Sequence, residues 1–250
     1  MGSRASGGFR VPSTVLATFI DELLGRDELN ARIFNVSAMN GLWVGMLTQQ
    51  FQLGGKRADG RFHTIAVWQP EANYDFMIAL NHFKGHPMGG YGGALKNLSI
   101  GCASQNGKAY IHSAGKMEKL DMGKLWTPEF IGNQDGFLES MAAAAQAVVN
   151  YFNKKQGIIY ISVMNNMSID CDCVDHPEPV KLEDYGILAS TDPVALDQAC
   201  IDIINQQKVT AKNDPTDLLK RIDKQHGTHT IDHAAQIGLG SKKYELINLE

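Results

Sequence analysis

Apolar positions along the chain switch between two rhythms. Val15, Phe19, Leu23 and Leu24 recur at helical spacing behind Pro12-Ser13-Thr14, where a hydroxyl can cap the first turn, so residues 12–30 predict an amphipathic helix. The next forty residues are mixed. IFNV reads as a short strand, LWVGMLTQQF as strand or helix, GGKRADGR as a turn-rich connection and TIAVW as a strand. From Tyr74, YDFMIALNHF is an apolar run of strand length that ends on Asn81-His82. GIIYISVMN and YGILAS are two more such runs. Between the first and second, Leu138, Met141, Ala142, Ala145, Val148, Val149 and Phe152 line one face of a long helix that starts at Asp135. Asp192-Pro193 supplies an N-cap and a first helical residue for a helix carrying Val194, Leu196, Cys200, Ile201 and Ile204. A last helix is predicted from Thr230 to Ile237, closed by Gly238 and followed by a strand, YELINL.

Strands that alternate with helices predict an α/β fold with a mostly parallel, mixed sheet flanked by helices. Residues 12–250 read as one domain behind a flexible Gly/Ser-rich tail at 1–11. Three connections that leave strands carry unusual side chains: 81–112, 165–176 and 189–193. Ligands gather at the carboxyl ends of strands in open α/β sheets, so these three loops are the expected site.

Composition narrows the partners. The chain has 250 residues with a formal charge of -4, which gives no basic footprint for nucleic acid. No apolar run is long enough to span a bilayer, and the first residues lack the apolar centre of a signal peptide. The expectation is a cytoplasmic protein that binds neither nucleic acid nor membrane; its oligomeric state is not legible. Its four cysteines are too few for a disulfide scaffold at this length.

The segment 81–112 holds seven glycines, Lys84, Lys96 and Lys108, and His82, His86 and His112. It is not a P-loop, because Ala109 stands where Ser or Thr would hold magnesium, and Gly90-x-Gly92 lacks the third glycine of the dinucleotide fingerprint. Backbone N–H groups could still form a nest for an anion, with the lysines adding charge and Gly92 and Gly93 opening the backbone. Cys171-Asp172-Cys173 is a second centre of chemistry, since two thiolates at this spacing suit a soft metal or an iron–sulfur cluster. Cys102 could approach them, and three thiolates can equally hold zinc with a position left open. Cys200, at an apolar helical position, reads as core. Asp192 and Asp197 read as a cap and a helix-surface residue, and His226, His229 and His233 as solvated.

NHFKGH, GGYGGALKNLSIGCAS, GKAYIH, MNNMSIDCDC, GILASTDPVALDQAC and HTIDHAAQIGLGSKKYELI occur in this order. With them, residues 74–250 resemble the family called domain of unknown function 362, described as uncharacterised iron–sulfur-centre proteins. Many members of that family carry a ferredoxin-like cysteine insert where this chain has only Ser113 to Gln134. Residues 12–70 match it poorly and read as divergent or truncated. A more distant resemblance is to the nickel-pincer lactate racemases, through His86-x9-Lys96-x15-His112. It implies a pincer nucleotide on the lysine, nickel on the later histidine and acid–base work for the first. The spacing around Lys96 departs from that family by one residue.

These readings define the expected sites. His86, Lys96 and His112 are the catalytic candidates; His82, Gly92, Gly93 and Lys108 the binding candidates for a small molecule or anion; Cys102, Cys171 and Cys173 the metal ligands. The expected function is a metal-binding protein, iron–sulfur or redox-linked, with an anion or small-molecule pocket. The alternatives are a racemase- or isomerase-like enzyme with a lysine-tethered nickel cofactor, and a non-catalytic anion-binding module.

Overall fold

The first described elements form a hairpin. In the computed structural model, which describes residues 50–56, 62–68, 76–153, 157–172, 174 and 177–248, β1 (Gln50–Lys56) pairs antiparallel with β2 (Phe62–Trp68). TIAVW is therefore a strand as expected. Gly54 to Lys56, read as loop, instead continue β1. The helix expected over 12–30, the IFNV strand and most of LWVGMLTQQF lie outside the described residues.

The central sheet has the order β3-β6-β7. β3 (Met77–His82) runs parallel to β6 (Ile158–Met164), with Met77 opposite Ile158 and His82 opposite Val163. β7 (Gly186–Ser190) runs antiparallel to β6, with Tyr160 opposite Ser190 and Met164 opposite Gly186. The sheet is thus mixed, one pairing of each kind, and the fold is α/β. All seven residues of β6 are buried, which is what a middle strand covered on both faces requires.

The crossover from β3 to β6 carries the segment 81–112, which is more regular than a loop. β4 (Lys84–His86) and β5 (Gly90–Gly92) form a small antiparallel hairpin. A helical stretch follows at once: α1 (Ala94–Lys96) widens into a π turn over Asn97–Gly101. Then comes α2 (Gln105–His112), whose N-cap Ser104 accepts the Gly107 N–H at 3.1 Å. Two short helices, α3 (Met122–Leu125) and α4 (Pro128–Ile131), precede the long α5 (Gln134–Phe152). The predicted apolar face of α5 is buried along its whole length, and Ala143, Ala144 and Ala147 widen it.

After β7 come α6 (Pro193–Gln206), α7 (Thr216–Lys224) and α8 (His229–Gln236). Asp192 and Pro193 start α6 as the sequence predicts: the Asp192 carboxylate accepts the Val194 and Ala195 N–H groups at 2.8 and 3.1 Å. One apolar core joins α1 and its π turn, β6, α5 and α6 through Leu95, Leu98, Tyr160, Met141, Phe152, Leu196 and Ile204. Each such side chain contributes about 1.5–3 kcal/mol on burial. Cys200 belongs to this core, as expected. The strand expected at YELINL is not formed over the described residues Tyr244–Asn248. A side chain, not a strand ladder, attaches that segment: the Tyr244 hydroxyl donates to Asp202 Oδ2 at 2.8 Å.

Among the described residues, no helix is long and apolar enough to cross a membrane.

Candidate functional site

Two of the three strand-end loops meet. At the end of β3, the Phe83 N–H continues the ladder to the Val163 carbonyl (3.0 Å), and the Gly85 N–H reaches the Ser168 carbonyl (2.7 Å). The β4–β5 hairpin is therefore docked against the loop that leaves β6. Side chains tighten the joint. His82 donates through Nε2 to the Asn165 carbonyl at 2.7 Å and turns Nδ1 to the Asp172 carboxylate at 3.1 Å. Lys84 forms an ion pair with the other oxygen of Asp172. Burial would raise the Asp172 carboxyl, but His82 and Lys84 outweigh it and lower it to about 2. Beside it, Arg221 of α7 pairs with Asp170 at 3.2 Å. The middle residue of Cys171-Asp172-Cys173 thus carries the contact to the glycine-rich segment.

His86 lies deeper. Its Nδ1 accepts the Met88 and Gly89 N–H groups at 3.2 and 3.0 Å, so the neutral ring carries its proton on Nε2. Burial, with the charges of Lys96, Lys84 and Arg221 and a contribution from His112, lowers its pKa to about 2. His112 takes the opposite tautomer. Its Nδ1 donates to the Lys108 carbonyl at 2.7 Å, which leaves the Nε2 lone pair bare. Its ring stacks on Phe137 at 5.1 Å. Desolvation lowers the His112 pKa, and the Lys96 and Lys108 charges add to this against the Lys108 hydrogen bond. The structure therefore brings His86, Lys96 and His112 into one electrostatic neighbourhood, with Lys84 and Lys108 at its border. Two lysine stems flank Gly92: a Cβ there would lie 3.5 Å from Lys96 Cδ and 3.6 Å from Lys84 Cε.

The third loop joins through the helix it starts. Asp197, one turn into α6, is fully buried. Its Oδ1 accepts the Ala94 N–H at 2.7 Å; its Oδ2 accepts the Leu95 N–H at 3.0 Å and the Tyr91 hydroxyl at 3.1 Å. The anion at the Gly93-Ala94-Leu95 backbone is therefore one of the chain's own carboxylates. Gly93 makes room for it, since a Cβ would sit 2.5 Å from Asp197 Oδ1. Burial pushes the Asp197 carboxyl up to about 6 even though all three donors favour the ion.

Asp197 is not the helix-surface residue the sequence reading expected. The signal was present: Val194, Asp197, Ile201 and Ile204 follow the apolar spacing of α6, and a carboxylate inside such a stripe needs partners. Arg221 and Phe137 were not anticipated either, as they reach the site from distant elements. The solvated reading of three histidines holds only in part. His226 is exposed and pairs with Asp135 at 2.8 Å, His229 meets Glu139 at 3.2 Å, and His233 is buried.

The expected metal ligands are placed in part. Cys102 sits in the apolar core and Cys171 is buried, while Cys173 lies outside the described residues. Among the described residues, no group of three or more His, Cys, Asp or Glu side chains is arranged to hold a metal ion.

The architecture is a mixed α/β sheet whose β3 and β6 loops interlock around a lysine- and histidine-rich hairpin. Residues 43–202, more than half of the chain, match the family described as Domain of unknown function (DUF362), and the chain belongs to that family. Comparison with curated proteins and with solved structures finds no match.

Proposed function

We propose that the chain binds a small organic anion beside Lys96 and moves a proton on it, as an isomerase or racemase does. The observation that supports this most is the pair of opposite tautomers. His86 offers an N–H and His112 a lone pair, both rings are held neutral, and the Lys96 charge acts on both. A neutral imidazole N–H can polarise a carbonyl, a neighbouring lone pair can take the proton, and lysine charge stabilises the developing anion. With its pKa near 2, His86 acts as a hydrogen-bond donor and not as an imidazolium acid.

The likeness to the nickel-pincer racemases fits the donor set in one respect, because His112 keeps an imidazole lone pair for a metal. Such a group, tethered at Lys96, would supply a hydride acceptor. With that lone pair on a metal and Lys96 tethered, His112 would take no proton and Lys96 would carry no charge, so their proton-transfer roles are those of the chain without the group, whereas the N–H offered by His86 is the same in both.

The test is proton exchange. The full chain is incubated in deuterated buffer with a panel of 2-hydroxy and 2-oxo carboxylic acids, and loss of the Cα–H or Cβ–H signal is followed by NMR. Exchange on at least one acid is expected, falling by about 10²-fold or more in His112→Gln. Intact mass of the native protein shows in the same sample whether Lys96 carries an adduct. A wild-type chain that exchanges no proton on any of these acids overturns the reading.

A further inference from the structure

The carboxylate of Asp197 closes on a backbone turn that lies a hundred residues earlier in the chain. α1 has only three residues before its π turn, and although the Asn97 N–H closes on the Gly93 carbonyl at 3.0 Å, its first N–H groups have no partner within the helix. Its first two N–H groups are satisfied from outside, both by Asp197. Its third residue is Lys96. No side chain of α1's own N-cap, Gly93, helps to hold the turn. The orientation of Lys96 thus depends on a side chain that cannot itself reach a ligand, because it is fully enclosed.

We propose that Asp197 is the positioning residue of the site: as the internal anion of the glycine-rich turn, it sets the placement of Lys96 towards His86 and His112. The consequence for a substrate rests on the proton-transfer reading above; the control of Lys96 does not. The mechanism follows from the hydrogen bonds. Asp197 Oδ2 accepts from both Tyr91 and Leu95, the residue immediately before Lys96. A proton on Oδ2 makes that oxygen a donor to the Tyr91 hydroxyl and removes the charge that strengthened its bond from the Leu95 N–H, so the turn carrying Lys96 is held less tightly. The groups that bear on this contact are Tyr91 from β5, Cys200 from α6 itself, and Asp232 of α8 through its charge on Tyr91. With the Asp197 carboxyl near 6, the change is centred near pH 6.

The experiment is pulsed acetylation of the full chain with acetic anhydride from pH 5 to 8, with mass spectrometry of each lysine. Exposed Lys208 is the internal standard for reagent concentration and reaction time. The Lys96/Lys208 ratio is expected to step by at least about twofold with a midpoint near that of Asp197. In Asp197→Asn the step should vanish. In Tyr91→Phe, which removes a donor that favours the ion, the midpoint should move to higher pH. This second variant keeps the carboxylate, so the test survives if the asparagine variant does not fold. A flat wild-type ratio, a step that persists in Asp197→Asn, or an unmoved midpoint in Tyr91→Phe overturns the proposal. A purely structural carboxylate would lower the melting temperature in Asp197→Asn without any wild-type step. Because labelling uses no substrate, a chain that shows the step but exchanges no proton loses the proposed function and keeps this one.

Discussion

Asp192 and Asp197 stand five residues apart on one helix and do the same chemical work in opposite settings. Each carboxylate accepts two backbone N–H groups at the start of a helix. Asp192 caps the helix that it begins, at a partly exposed position, and its second oxygen takes the Ser241 N–H at 2.7 Å. Asp197 caps a different helix, in the dry interior, and takes a tyrosine hydroxyl as well. Water can replace what Asp192 does. Nothing can replace Asp197, so the same hydrogen bonds carry far larger consequences there.

The largest effect expected from this difference is that of Asp197→Ala. It strands the Ala94 and Leu95 N–H groups and the Tyr91 hydroxyl, and should cost about 3–5 kcal/mol in urea unfolding at pH 7. Close behind comes the pH dependence. The Asp197 pKa is raised in the fold from 3.8 to about 6, so the stability linked to its proton is complete below 3.8 and is lost as pH rises through 6, while its hydrogen bonds to Ala94, Leu95 and Tyr91 remain for the ion at pH 7. Unfolding free energy should therefore fall by about 3 kcal/mol from this group between pH 4 and 7, and Asp197→Asn should flatten that slope. Gly93→Ala forces a methyl onto the Asp197 carboxylate and should cost about 1–3 kcal/mol by the same measurement. The smallest effect is that of Asp192→Ala, about 1 kcal/mol, the ordinary loss of an N-cap. A cost for Asp192→Ala equal to that for Asp197→Ala would break the comparison.

Legibility followed the range of the interactions. The strands from Met77, Ile158 and Gly186 and the helices from Gln134 and Pro193 could be read because neighbouring residues carry their apolar pattern. The Asp192-Pro193 start is legible for the same reason, since cap and capped groups are adjacent. Gly54–Lys56 ran as strand despite two glycines, because the β2 ladder holds them opposite Phe62, His63 and Thr64. YELINL has the right pattern for a strand, yet over Tyr244–Asn248 it forms none, for pattern alone supplies no partner edge. At the site, the grouping of His86, Lys96 and His112 could be anticipated from one segment and its resemblance. Asp172 and Arg221 act across the loops, and their pairing with Lys84 and Asp170 could not.

The local sequence, by itself, determined the elements: where chain segments bury one face, where caps start helices, and that basic and imidazole side chains follow β3. Only the tertiary structure decided what those side chains are. Parallel pairing of β3 with β6 sets Asp172 against His82 and Lys84, and the return of α6 drives Asp197 into the turn before Lys96. Burial there removes water from a carboxylate and two imidazoles, and that change of medium, absent from any short stretch of sequence, fixes their charge and their partners.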